Sequence, residues 1–286
     1  MLTLIFGSIA ALCWGVHDVC VRFVAARSGP ATAFLCVLAI GGLALLPLTF
    51  LGPGWGAIGA WALTLATLSG FCYAVAGYAL YRAFEIGPVR LVAPLIGAYP
   101  VLSLLWAAMT GNPPTLPQML AVAAIVAGVG LNAMLSDGHV AADATPGRGP
   151  RAATLWSLAA CGGFALTFAL GQAASAEGGG LALLLVPRLA AFALLGTATA
   201  LLDRRALTLR DAPLGILAVM GLCDAVALGL VQWSGSLPHP EFAAVAASTF
   251  GMVTVILAAL FLRERMSLPQ WATVAMVFAA IGYLAL

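Results

Sequence analysis

The hydrophobic positions of this chain neither alternate nor trace a single helical face. They fill runs of about 20 residues, interrupted by short polar stretches carrying Gly and Pro. At 1.5 Å per helical residue, such a run matches a bilayer hydrocarbon core of about 30 Å. The pattern predicts ten membrane-spanning helices, at 2–24, 31–51, 59–84, 89–109, 116–135, 153–176, 180–202, 212–233, 242–262 and 267–286. A closed β-barrel would show roughly ten-residue alternating segments instead, so the predicted class is an all-α membrane protein.

The runs repeat. "TLPQMLAVAAIVAGVGL" at 115–131 returns as "SLPQWATVAMVFAAIGY" at 267–283, and "GFCYAVAG" at 70–77 as "GLCDAVAL" at 221–228. Both echoes lie about 151–152 residues apart and relate span five to ten and span three to eight. The expected organisation is a first five-helix repeat at 1–135, a linker at 136–152 and a second repeat at 153–286. Five is odd, so the second copy is inverted if the linker does not cross. The linker, "SDGHVAADATPGRGPRA", is polar and rich in turn formers, as a loop should be.

Composition agrees, with 63% hydrophobic and 8% charged residues, where soluble domains carry roughly a quarter charged. If the loops alternate sides, Arg27, Arg82, Arg90, Arg148, Arg151, Arg204, Arg205, Arg210, Arg263 and Arg265 all fall on the face opposite the N-terminus. The positive-inside rule makes that face cytoplasmic and puts both termini outside. No basic residue precedes the first span, whose apolar run outlasts a signal peptide's 7–15 residues, so it is expected to remain as a helix. The six cysteines all sit in predicted spans without metal-ligand spacing and read as small buried apolar side chains. No metal, cofactor or nucleic-acid partner is expected; the partners are the lipid bilayer and a small-molecule substrate.

Four features together resemble the drug/metabolite transporter superfamily, specifically its EamA-type members. They are "WG" followed by a basic residue (Trp14, Gly15, Arg22), the run "ALYRAFEIGPVRLVAPLIGAYPV", the turn "LFLRERMSLPQW" after span nine, and the ten-span repeat. The resemblance implies a central cavity lined mainly by spans one to four and six to nine. It implies spans five and ten as scaffold or dimer contacts, in a monomer or homodimer. It further implies export or exchange of small polar metabolites, often amino acids, in a bacterial cytoplasmic (inner) membrane. Two positions depart from the family pattern: "TGNPPT" at 110–115 lacks the charge of its second-half counterpart, and Asp18 stands where an uncharged residue is usual.

Ionisable groups inside a membrane are costly, by about 2.5–3.5 kcal/mol on insertion scales, and so face a cavity or a partner. Counting from the outer end of span one, Asp18 lies about 24 Å deep and Arg22 about 30 Å deep. Their spacing of four permits an intrahelical ion pair, and the alternative is an inner gate. His17 points about 100° away from Asp18. Its unperturbed pKa near 6.5 suits a proton relay, which makes the proton a candidate coupling ion. Asp224 lies about 18 Å into span eight and Arg188 about 12 Å into span seven, both near the midplane. These two either pair structurally or divide a zwitterionic substrate between them, Arg188 taking a carboxylate and Asp224 an ammonium group.

Trp14, Tyr73, Tyr78 and Tyr99 are the aromatic candidates for the cavity; mid-span tyrosines need a hydroxyl partner, which favours them over Phe164. Pro94 and Pro100 in span four and Pro187 in span seven are candidate hinges, each removing a backbone hydrogen bond. Val253, the counterpart of Pro100, predicts that the halves bend unequally.

The expected function is secondary active transport of small polar metabolites by alternating access, with amino acids or related zwitterions as substrates. Efflux of drugs or quaternary cations is the alternative within transporters. An integral-membrane enzyme is disfavoured by the lack of His-Glu-x-x-His, Gly-x-Ser-x-Gly and paired Asp-rich motifs. A channel would need a ring of like groups around an oligomer axis, which nothing in the sequence indicates.

Overall fold

The computed structural model describes residues 1–52, 54–87, 92, 95–109, 111, 114–135, 150–203, 207, 213–261 and 267–284. The described residues are helical, without strands. The helices are α1 (Leu2–Ser28), α2 (Pro30–Leu45), α3 (Ala60–Ile86), α4 (Tyr99–Met109), α5 (Leu116–Leu135), α6 (Pro150–Ala176), α7 (Val186–Leu202), α8 (Leu214–Trp233), α9 (Glu241–Ala247), α10 (Phe250–Phe261) and α11 (Leu268–Leu284). Six described stretches are long and apolar enough to cross a membrane: Leu2–Val21, Pro30–Phe50, Ala60–Ile86, Arg151–Ala176, Gly180–Leu202 and Leu214–Ser236. Of the ten expected spans, six reach that length among the described residues. The regions of spans four and nine are interrupted, and α4 and the α9–α10 pair fall short of that length.

Helix boundaries follow local chemistry. Gly29, at φ 71°, makes the turn between α1 and α2, and Pro30 opens α2, where its missing N–H costs nothing. The expected linker is shorter than its predicted 136–152, because 150–152 already belong to α6; residues 136–149 lie outside the described set.

Packing among the helices maps onto itself when each is exchanged for its counterpart about 151 residues away. Helix α3 packs most extensively on α6, and α1 on α8; α2 lies on α8, and α7 on α3; α4 contacts α6, while α9 and α10 contact α1. Two bundles result, one of α1, α2, α8, α9 and α10, the other of α3, α4, α6 and α7. Helix α5 pairs with α11 and joins α9 and α10 in a separate apolar cluster through Val122, Ile125, Val245, Met252 and Val277.

Glycines set the closest approaches. A side chain at Gly70 would strike the Pro187 carbonyl and Ala190, and one at Gly221 would strike Ile40 and the Val37 carbonyl. These are equivalent contacts, α3 on α7 and α8 on α2, made by glycines 151 apart in sequence.

The halves are broken alike, contrary to the expectation from Pro100 and Val253; at the 151-residue offset the counterpart of Pro100 is Gly251. Before α4 the helix is interrupted by a turn at Ala98, and between α9 and α10 by a turn at Ser248 and Thr249. Pro100 is the second residue of α4, so its missing N–H falls in the first turn, where no helical partner is lost. The second break needs no proline. Ser248 Oγ donates to Val245 O and Thr249 Oγ1 to Ala246 O, each at 2.7 Å, and such back-bonding competes with the helical ladder.

Candidate functional site: an aromatic cavity between the bundles

On α1, Trp14, His17 and Asp18 are three and four residues apart and share one face. On α3, Tyr73, Gly77 and Tyr81 form a row at four-residue spacing that spans about 12 Å. These two faces meet across a narrow cavity completed by Phe34 of α2, Leu80 of α3, Tyr99 of α4, Phe164 and Phe168 of α6, Asp224 of α8 and Phe250 of α10. Its lining divides between the bundles, and all eight of its aromatic side chains belong to described helices.

Rings pack around it almost continuously. Phe34 stands edge-on to Tyr73 at 5.3 Å between centroids, Tyr99 edge-on to Phe168 at 5.0 Å, and Phe164 stacks on Phe168 at 5.8 Å. Trp14 leans on Phe168 at 5.5 Å. Gly77 is required because Phe34 occupies the space its side chain would take.

Two carboxylates differ in how fully they are engaged. Asp224 Oδ1 accepts the Trp14 indole N–H at 3.0 Å, and Oδ2 accepts the Tyr73 hydroxyl and lies 2.8 Å from Arg188 Nη2. Asp18 Oδ1 lies 3.0 Å from His17 Nδ1, whose Nε2 lies 2.9 Å from the Tyr81 hydroxyl. Asp18 Oδ2 is buried and has no hydrogen-bond partner among the described residues. Bonds from Asp224 to Tyr73 and Arg188, and from His17 to Tyr81, all join one bundle to the other.

Several sequence expectations change. Asp18 pairs with its neighbour His17; the Arg22 side chain, like Pro94, lies outside the described residues. His17 and Asp18 share one cavity with Asp224 and Tyr73, although the depth count separated them. Arg188, 1% exposed, reaches Asp224 from behind and does not line the cavity, sitting 5.9 Å from the centre of the Tyr73 ring. Tyr78 points away, packing edge-on against Trp156 at 5.8 Å. Pro187 lies in the first turn of α7, where the preceding 3-10 segment Gly180–Leu185 gives way to α-helix, so it marks a restart and not a mid-helix kink. Of the cysteines, Cys161 is buried and the other five are half-buried.

Trp14, Tyr73, Tyr99 and Asp224 line the cavity. Tyr81, Phe34, Phe168 and Phe250 were missed, and Phe164 was placed too low. The four-residue row 73-77-81 was the available signal for Tyr81, and for Phe250 it was equivalence with Tyr99, 151 residues earlier.

The EamA-like transporter family matches at residues 1–134 and again at 151–286. The chain belongs to that family. No curated protein matches it. Among 27 matching chains of known structure, one crystal structure superposes with a TM-score of 0.75 at 13% identity, covering 98% of this chain and 94% of its own. At that identity the likeness is one of fold. Together, the apolar helices and the family make this EamA-like transporter an integral membrane protein.

Proposed function

We propose that this EamA-like protein is a secondary carrier that moves small amine-bearing metabolites across the membrane by alternating access. The observation that carries the reading is the cavity between the two bundles, walled by aromatic rings and holding two carboxylates. Ring faces and carboxylates attract organic ammonium groups, and most strongly where water is excluded. Carriage between two bundles also fits the exchange symmetry of the packing, which supports two inverted five-helix repeats at 1–135 and 153–286. The arginine-bearing loops support a cytoplasmic membrane with both termini outside.

Amino acids are the second reading, favoured by the Arg188–Asp224 pair. Arg188 lies behind Asp224 and outside the cavity lining, so a zwitterion's carboxylate could meet it only after a rearrangement, and organic amines fit the present arrangement better. The test is counterflow in liposomes containing the purified chain, with primary amines, quaternary ammonium compounds and amino acids as competing substrates. Saturable counterflow of an amine supports the carrier, non-saturable flux would indicate a channel, and chemical conversion of the solute would indicate an enzyme.

A further inference from the structure

Three rows of cavity residues continue beyond it at four-residue spacing. On α3 the row of Tyr73, Gly77 and Tyr81 begins at Ser69; on α6, Phe164 and Phe168 lead to Gln172; on α8, Asp224 leads through Leu228 to Gln232. The extensions run toward the end of the bundles where α1 begins, since Trp233 packs on Phe6 at 5.9 Å between ring centres. There Ser69, Gln172 and Gln232, all buried, form a polar clasp. Gln172 Nε2 reaches Val231 O at 3.2 Å, Ser234 Oγ at 3.1 Å and Pro240 O at 2.8 Å. Gln232 Nε2 donates to Ser69 Oγ at 3.3 Å. Each of these amide bonds crosses from one bundle to the other. The backbones are equally close: a side chain at Gly171 would strike Gln232, and one at Gly235 would strike the Gln172 carbonyl.

The duplication shows that this polarity belongs to one end alone. The residues 151 positions away from Gln172, Ser69 and Ser234 are Val21, Met220 and Ala83, all buried and apolar, while the counterpart of Gln232 is Tyr81, bonded to His17. Apolar faces parted into water lose the whole of their burial energy, whereas amides and hydroxyls exchange one hydrogen bond for another. Amides buried in a membrane protein are therefore suited to a contact that meets water repeatedly. The acceptors are also provided for when the amides leave. Ser69 Oγ donates to Thr167 O at 2.7 Å and Ser234 Oγ to Val231 O at 2.6 Å, each within its own bundle, so parting strands neither hydroxyl.

We propose that Gln172 and Gln232, seated on Ser234 and Ser69, are the gate of the cavity at the end where α1 begins, closed in this structure and opened when both amides exchange the opposite bundle for water. The proposal rests on the carrier reading above and names the mouth through which its solute passes on that side.

The experiment uses the full chain without its six native cysteines and with Leu228→Cys, which lies between Asp224 and Gln232 on their shared face. Gln172→Glu keeps the side chain's shape but turns a carboxylate toward three oxygens. In detergent at mildly alkaline pH, a charged methanethiosulfonate is expected to label Leu228→Cys about tenfold faster once Gln172→Glu is added, the effect of losing one net hydrogen bond. An unchanged rate overturns the assignment. If Gln172→Glu does not fold, a disulfide decides. A side chain at Gly171 would lie 2.7 Å from Gln232 Cγ, which puts Gly171→Cys and Gln232→Cys within bonding reach. In liposomes, oxidation of that pair is expected to stop phenethylamine counterflow and dithiothreitol to restore it. Counterflow undiminished by the disulfide shows a static brace, which overturns the gate and leaves the carrier reading standing. Counterflow absent from every form, the unmodified chain included, overturns the carrier reading, and the labelling of Leu228→Cys then decides the gate by itself.

Discussion

Tyr73 and Asp224 occupy equivalent positions, 151 residues apart, and the hydroxyl of the first donates to the carboxylate of the second. Contact between equivalent residues is what a two-fold relation produces at its axis. The same relation places Tyr99 opposite Phe250, also in the lining. The cavity therefore sits on the pseudo-symmetry element of the fold, but with an acid on one side and a phenol on the other.

Removing the charge of Asp224 strands Arg188 in the interior. Asp224→Asn should destabilise the protein by about 3–5 kcal/mol, the usual cost of orphaning one member of a buried pair. Arg188→Met combined with Asp224→Leu should recover most of that loss. Thermal unfolding in detergent measures both, and additive losses in the double variant would show that the two are not coupled.

Gly77→Ala puts a methyl group where the Phe34 ring lies. Overpacking of this kind costs about 1–3 kcal/mol, and relief by turning Phe34 would shrink the cavity. A lower melting temperature and weaker amine binding are expected. Gly130→Ala, which meets nothing within 4 Å, should leave binding unchanged.

Cys13 of α1 and Cys223 of α8 are close neighbours within one bundle. In a variant whose other four cysteines are replaced, copper phenanthroline should join them, and peptide mass spectrometry should find the link. Transport should survive, because α1 and α8 travel together. A short bifunctional thiol reagent joining Gly42→Cys to Leu185→Cys crosses between the bundles, since a side chain at Gly42 would lie 3.8 Å from the Leu185 Cδ1 methyl group, and should arrest transport.

Esterifying an amino acid removes its carboxylate and keeps its ammonium group. Leucine methyl ester should therefore compete better than leucine in counterflow, because Arg188 is held by Asp224. Stronger competition by leucine would show that Arg188 is released to bind carboxylates.

The sequence carried the helical class, the duplication and four of the cavity residues, because hydropathy runs and repeat offsets depend only on backbone periodicity. Asp224 was found through its depth and its equivalence to Tyr73. The direction of Arg188 was not legible, since a long side chain at a known depth can face either way. The His17–Asp18 bond was missed because adjacent helical residues diverge by about 100° and long side chains can close that gap. The break at Ser248–Thr249 escaped for a different reason: hydroxyl groups that bond back to the helix leave no mark as plain as a proline.

The bundle assignment also fixes where the chain passes from one side of the cavity to the other. Helices α1 and α2 are consecutive in one bundle, α3 and α4 in the other; α6 and α7 remain in the second, and α8 to α10 return to the first. The direct crossings are two, residues 46–59 and residues 203–213, and they are counterparts in the duplicated sequence. Each is a covalent tether between bodies that also share one apolar core and several polar bonds. The first contains two short 3-10 turns and glycines at φ 100° and 67°, Gly52 and Gly54. In the alternating-access reading, the slack in the first of these tethers, more than any proline in a helix, limits how far the bundles part.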